Sequence, residues 1–172
     1  MKARILHRLL PALLTLLCLA GCDNEIDDTR IPAFNVQINL ANTGLWNVYG
    51  VHGYGDYTYF IRETNSPANF PFTQTTYTGF GGVLLIEGMN PFEAGVVEPL
   101  AYDLACPVEC NAQIRVQIDE QLNAKCPVCG SVYDVTMAAG APISGPALTG
   151  SVKYALERYR AIAQNGGYMI VR

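Results

Sequence analysis

The stretch KCPVCGSVYD, residues 125–134, is the one from which the fold and the chemistry of this chain can be predicted. Cys126 and Cys129 are separated by two residues, and Gly130 and Ser131 follow directly. A turn this tight, with a proline inside it, aims two thiols at one point. The two thiols could be metal ligands, half of a disulfide framework or a redox pair, and the rest of the chain must supply their partners.

A second cysteine pair lies upstream, at Cys106 and Cys110, in the stretch AYDLACPVEC. Together the pairs form the pattern C-x3-C-x15-C-x2-C, and four thiols suit either one tetrahedral metal site or two disulfides. Sulfur ligands select zinc, single iron or an iron–sulfur cluster. A redox dithiol is less favoured, because it needs its first cysteine at a helix N-terminus and GSVYDVTM after the pair predicts a strand.

Most of the remaining chain has β character. FNVQINL (34–40) alternates apolar and polar residues, which predicts a strand with Phe34, Val36, Ile38 and Leu40 inward. Runs rich in aliphatic and aromatic residues, bounded by Gly, Pro and Asn, predict further strands at 57–63, 81–88, 114–120 and 131–137. No repeat or low-complexity linker divides the chain, so we predict one all-β domain over residues 32–172.

Two stretches are ambiguous. GLWNVYGVHGYGDYTYF (44–60) is dense in glycine and aromatic residues, and we predict a strand and loop with the rings packed over glycines. SVKYALERYRAIA (151–163) has apolar residues at helical spacing, so periodicity alone predicts a helix. Behind it, however, Asn165-Gly166-Gly167 is a hairpin-turn signal between two apolar runs.

The cysteine stretches, followed by GAPISGPAL and LERY, resemble a Rieske-type iron–sulfur domain. The resemblance covers about residues 80–172 well, and earlier residues only in their β character. It implies stacked antiparallel sheets with a small metal-binding subdomain, in which two cluster-binding loops at about 104–134 lie beside a Gly-Pro-rich loop. Cys106 and Cys126 match the two cluster cysteines. The resemblance also implies that LERY (156–159) belongs to a strand. Ser131, Tyr133 and Pro146 match residues that surround the centre.

The chain departs from the Rieske pattern at both histidine ligands. Val108 occupies the first histidine position and Cys129 the second, and His52 is the single histidine after the first 21 residues. We therefore expect four thiolates, from Cys106, Cys110, Cys126 and Cys129, to replace two cysteines and two histidines. A [2Fe–2S] cluster is the first expected occupant; zinc, single iron or two disulfides remain open, since CPVCG also resembles zinc-ribbon and rubredoxin turns.

The N-terminus predicts export. Basic residues precede a short apolar run and the sequence LAGC, which resembles a bacterial lipobox and implies cleavage after residue 21 with lipid on Cys22. Residues 22–31 then predict a flexible tether, and the localisation is the cell envelope. Losing three basic residues takes the net charge from −4 to −7, which leaves no basic patch for nucleic acid.

The expected function is electron transfer with a redox protein partner, rather than enzymatic catalysis, since neither a catalytic triad nor a facial iron triad can be assembled. The alternative is a non-redox binding or structural lipoprotein. Its cysteines would hold zinc or form disulfides, and its ligand would meet an aromatic face of Trp46, Tyr49, Tyr54 and Tyr57. His52 is expected to be structural or on the surface.

Overall fold

A seven-stranded antiparallel sheet forms the larger part of the computed structural model, which describes residues 25–90 and 93–172. From edge to edge it contains β3 (Tyr57–Phe60), β5 (Val83–Met89), β6 (Val97–Asp103), β12 (Arg158–Gln164), β13 (Gly167–Val171), β2 (Val36–Leu40) and β4 (Tyr77–Thr78). Arg62, just after β3, donates hydrogen bonds to the carbonyls of Thr73 (2.8 Å) and Thr76 (2.6 Å), just before β4. The two edges thus meet, and the sheet almost closes on itself.

A smaller antiparallel sheet carries the cysteines. It contains β10 (Ala141–Ser144), β9 (Val132–Asp134), β8 (Asn123–Lys125) and β7 (Gln117–Ile118). A third sheet pairs β1 (Ile26–Asp27) in parallel with β11 (Lys153–Tyr154). The helical segments of the described residues are α1 (Thr43–Tyr49), the short α2 (Pro146–Thr149) and a 3-10 turn at Arg62–Thr64. The all-β prediction is confirmed.

Strands β5 and β6 of the large sheet are buried on both faces along most of their length. On β5, Leu84 and Ile86 belong to a core cluster shared with the small sheet, while Val83 and Leu85 point into the other core cluster, inside the large sheet. This is why the sequence VLLI (83–86) is continuously apolar rather than alternating. The first cluster also contains Cys106, Cys126 and Tyr133, so the cysteine loops are anchored in the hydrophobic core.

The strand predicted at 34–40 is confirmed from Val36 onward. Val36, Ile38 and Leu40 are buried and alternate with exposed residues, as expected. The prediction for Phe34 is wrong, because this ring is 50% exposed and packs on Phe80 with ring centroids 5.4 Å apart. Pairing of β2 with its neighbours starts only at Val36, so Phe34 precedes the sheet.

The chain forms a helix where a strand and loop were predicted in residues 44–60. Helix α1 begins after Asn42, whose Oδ1 accepts a 2.8 Å hydrogen bond from the Leu45 N–H. Asn is a favoured N-cap, and the sequence prediction, which was based on the density of glycine and aromatic residues, did not take this signal into account. Only residues Tyr57–Phe60 of that stretch form a strand.

The ambiguity at 151–163 is settled in favour of a strand. Arg158–Gln164 forms β12, which pairs with β6 on one side and β13 on the other. The predicted hairpin turn is confirmed: Gln164 pairs with Gly167, and the two residues between them, Asn165 (φ 49°) and Gly166 (φ 79°), are left-handed. Two left-handed residues in succession are what a two-residue hairpin turn of type I′ requires.

No helix within residues 25–90 and 93–172 is long and apolar enough to cross a membrane. The predicted signal segment and the lipidation site Cys22 lie outside the described residues. Strand β1 starts at Ile26, inside the stretch predicted as a flexible tether, and Ile31 is buried. Part of the predicted tether is therefore paired with β11 in a regular strand.

Candidate metal centre

Two loops bring the cysteines together. Loop 1 (residues 106–110) follows β6, and loop 2 (residues 126–130) joins β8 to β9. Each loop is closed at its base by a backbone hydrogen bond: the Cys106 N–H donates to the Ile114 carbonyl (3.0 Å), and the Cys126 N–H donates to the Ser131 carbonyl (2.9 Å). The positions of the thiols are therefore set by backbone pairing on either side.

Three of the four predicted ligands converge. The Sγ atoms of Cys106, Cys126 and Cys129 all lie within 4.8 Å of one another, and those of Cys106 and Cys129 are 3.6 Å apart. A tetrahedral ion with metal–sulfur bonds of about 2.3 Å places its sulfur ligands about 3.8 Å apart. The three thiols are thus close to the spacing that one metal ion requires.

Cys110 is not part of this group. Its Sγ lies 3.6 Å from the backbone carbonyl of Arg30, in the segment that leads away from β1. The Arg30 guanidinium in turn lies over the Tyr154 ring, 5.6 Å from its centroid. The fourth predicted ligand therefore contacts the N-terminal segment instead of the other thiols.

The residues that the Rieske resemblance implied around the centre are near the thiols. The Ser131 hydroxyl is buried, lies 3.2 Å from Cys129 Sγ and accepts a 3.0 Å hydrogen bond from the Ala147 N–H. The buried Tyr133 hydroxyl lies 3.5 Å from Cys106 Sγ. Pro146 is exposed and begins α2, and the contact with Ser131 is made by the next residue, Ala147, which the sequence analysis did not single out.

The thiols of Cys106 and Cys129, which lie 3.6 Å apart, differ in acidity. Burial raises the pKa of the Cys106 thiol to about 12, although hydrogen bonds from Tyr133 and the Glu109 backbone oppose the shift. Burial also acts to raise the pKa of Cys129, but hydrogen bonds from the Ser131 hydroxyl and backbone N–H outweigh it, and this pKa lies below its ordinary value. Without a metal ion, the thiolate would therefore form first on Cys129, the more exposed of the two.

Two of the four residues of the aromatic face predicted for the alternative function are used for internal packing. Trp46 packs on Tyr168 with ring centroids 4.7 Å apart, and Tyr49 packs edge-on to Phe70 at 5.2 Å. Tyr54 and Tyr57 remain 50% and 40% exposed. His52 is on the surface, where its backbone N–H donates to Asp56 Oδ2 at 3.0 Å.

The chain matches no protein-family model, no curated protein and no solved structure.

Proposed function

We propose that this protein is a lipid-anchored protein of the bacterial cell envelope, whose Rieske-like β domain binds a metal through Cys106, Cys126 and Cys129 and transfers single electrons. The observation that carries the proposal is the convergence of three thiols within 4.8 Å. Two of the three are in the hydrophobic core, and uncompensated thiolates are unfavourable there. A bound cation would remove that cost.

A single ion suits these side chains better than the expected [2Fe–2S] cluster. That cluster needs two protein ligands on each of two irons, so its ligands form two separated pairs. Here three sulfurs form one compact group, and Cys110 faces Arg30. We therefore propose one metal ion bound by the three thiolates, in place of the two-iron cluster.

Iron is the occupant that we propose. Hydrogen bonds to the sulfurs, such as those available from Ser131 and Tyr133, tune the reduction potential of an iron–sulfur centre. Zinc has no redox chemistry that such tuning would serve. The half-buried Cys129 and the 61% exposed Val128 place the centre close to the surface, where a redox partner could approach.

A structural role is the second candidate, and the same close pair of sulfurs favours it. Cys106 and Cys129 Sγ are 3.6 Å apart, so oxidation to a disulfide of about 2.05 Å would need only a small movement. Disulfides persist outside the cytoplasm. In that case, or with zinc bound, the cysteines would hold the two loops together and carry no electrons.

The test is metal, sulfide and thiol analysis of the full chain, extracted from membranes with mild detergent in the absence of air. We expect about one iron per chain, no inorganic sulfide and a visible thiolate-to-iron absorption. Two irons per chain with inorganic sulfide would support the [2Fe–2S] cluster instead. Zinc would contradict the electron-transfer function. Oxidised cysteines without metal would support the structural role. Mass spectrometry of the N-terminal peptide tests the lipid on Cys22.

A further inference from the structure

The two cysteine loops are copies of one turn. Loop 1 has the sequence CPVEC (106–110) and loop 2 has CPVCG (126–130), so the first three residues are identical. Aligned on these residues, Glu109 corresponds to Cys129, and Cys110 corresponds to Gly130. Spacing between cysteines alone suggests a different match, between Cys110 and Cys129.

The backbone follows the alignment that the sequence suggests. In loop 1 the Cys110 N–H donates to the Cys106 carbonyl (2.8 Å), and in loop 2 the Gly130 N–H donates to the Cys126 carbonyl (3.1 Å). The fifth residue is left-handed in both loops, with φ of 48° at Cys110 and 72° at Gly130. Cys110 therefore occupies the glycine position of the turn.

This equivalence accounts for the direction of Cys110. A side chain at the fifth position leaves the turn away from the thiols, and Cys110 Sγ meets the Arg30 carbonyl there. The position that supplies the second ligand in loop 2 is the fourth, which in loop 1 is Glu109. A carboxylate oxygen is an accepted ligand of zinc and iron beside thiolates.

Glu109 is available for this role. Its backbone hydrogen-bonds the Cys106 thiol, so the residue is adjacent to the site. Its side chain is half-buried, and among the described residues its carboxylate has no hydrogen-bond or ion-pair partner. The carboxylate oxygens lie outside the compact group of sulfurs. Ligation therefore requires the Glu109 side chain to move towards the sulfurs.

We infer that Glu109 is the fourth protein ligand of the metal, which makes the centre a three-thiolate, one-carboxylate site, and that Cys110 does not bind the metal. This inference rests on the proposed metal-binding function and specifies its ligand set. A three-sulfur, one-oxygen site differs from a four-thiolate site in the number of metal–sulfur bonds, which can be measured.

Cobalt(II) is the probe, because its thiolate charge-transfer absorption grows with the number of bound sulfurs. The full chain in detergent is stripped of metal under anaerobic conditions and titrated with cobalt. The variants are Glu109→Gln, Glu109→Cys and Cys110→Ser, with Glu120→Gln as a control on an exposed carboxylate of a neighbouring loop. Affinity is measured by competition with a chelator, and folding of each metal-free variant by circular dichroism.

We expect Glu109→Gln to weaken cobalt binding at least about tenfold and to shift the ligand-field bands. Glu109→Cys should raise the charge-transfer intensity by about one third, since a fourth thiolate is added to three. Cys110→Ser and Glu120→Gln should match the wild type. If Cys110→Ser lost the charge-transfer intensity of one thiolate, or if Glu109→Gln bound cobalt as tightly as the wild type, the inferred ligand set would be wrong, although the protein would still bind metal. If the wild-type chain bound no cobalt, both the ligand set and the proposed metal-binding function would be wrong.

Discussion

Cys106 Sγ lies 3.6 Å from Cys129 Sγ, although the two residues belong to different loops, next to strands of different sheets. Cys106 follows β6 of the large sheet, and Cys129 precedes β9 of the small sheet. The contact therefore joins the two sheets at the edge of their shared core. Any ion or bond that uses both sulfurs holds the two parts of the domain together.

Replacement of a converging cysteine should abolish metal binding. Cys129→Ser and Cys126→Ser each remove one of three soft ligands, and we expect the metal content to fall from about one ion per chain to near zero. Elemental analysis of anaerobically purified protein measures this. Cys110→Ser is the matched control and should retain the ion, because its sulfur contacts Arg30 instead. Equal metal loss in all three variants would contradict the three-thiol group.

Ser131→Ala should destabilise the domain even in the metal-free state. The buried hydroxyl accepts the Ala147 N–H at 3.0 Å, so its removal leaves a buried donor unsatisfied, at a cost of about 1–3 kcal/mol. The free energy of unfolding in urea is the measurement. Ser144→Ala, at an exposed position of β10, should change it by less than about 0.5 kcal/mol. A neutral Ser131→Ala would mean that water replaces the hydroxyl.

Tyr159→Phe should be more destabilising at pH 7 than at pH 4. The Tyr159 hydroxyl donates to Asp103 Oδ2 at 2.6 Å, and both side chains are buried. Burial raises the pKa of Asp103 in the folded state, so its contribution to stability is fully present below the unfolded pKa, near pH 4, and is lost as the pH rises through the folded value. The Tyr159 hydroxyl favours the ionised carboxylate. Its removal therefore raises the pKa of Asp103 in the folded state further, and the loss of stability between pH 4 and pH 7 becomes larger.

We expect the Tyr159→Phe cost at pH 7 to be about 1.5–3 kcal/mol, the range for a hydrogen bond to a charged group. Urea unfolding at the two pH values measures it. Tyr77→Phe, at a 44% exposed ring, is the control and should show neither the cost nor its pH dependence. A cost of the same size at both pH values would show that Asp103 has the same protonation state at pH 4 and pH 7, against this prediction.

Gly166→Ala should destabilise the hairpin of β12 and β13. Gly166 is left-handed, and a Cβ there would lie 2.6 Å from Thr43 Oγ1. Strain at such a position costs on the order of 1–2 kcal/mol, measurable as a lower thermal midpoint. Gly53→Ala is the control, since no atom lies within 4 Å of its added Cβ. No difference between the two variants would contradict the turn geometry.

The features that the sequence predicted correctly are local ones. The Cys126–Cys129 turn and the Asn165-Gly166 hairpin each depend on a few neighbouring residues whose backbone preferences favour one conformation. Alternation from Val36 to Leu40 predicts a strand for the same reason, because burial on one face repeats every second residue. Signals of this kind need no information from residues elsewhere in the chain.

By itself, then, the sequence determined that the chain is built from antiparallel strands and that Cys126 and Cys129 share one turn. Only the tertiary structure decided that residues 158–164 form a strand, since pairing with β6 and β13 outweighs their helical spacing. It also decided which thiols meet. Cys106 joins Cys129 because two sheets pack around one core, and Cys110 turns towards Arg30 because its backbone is left-handed. Neither relation depends on the spacing of cysteines along the chain.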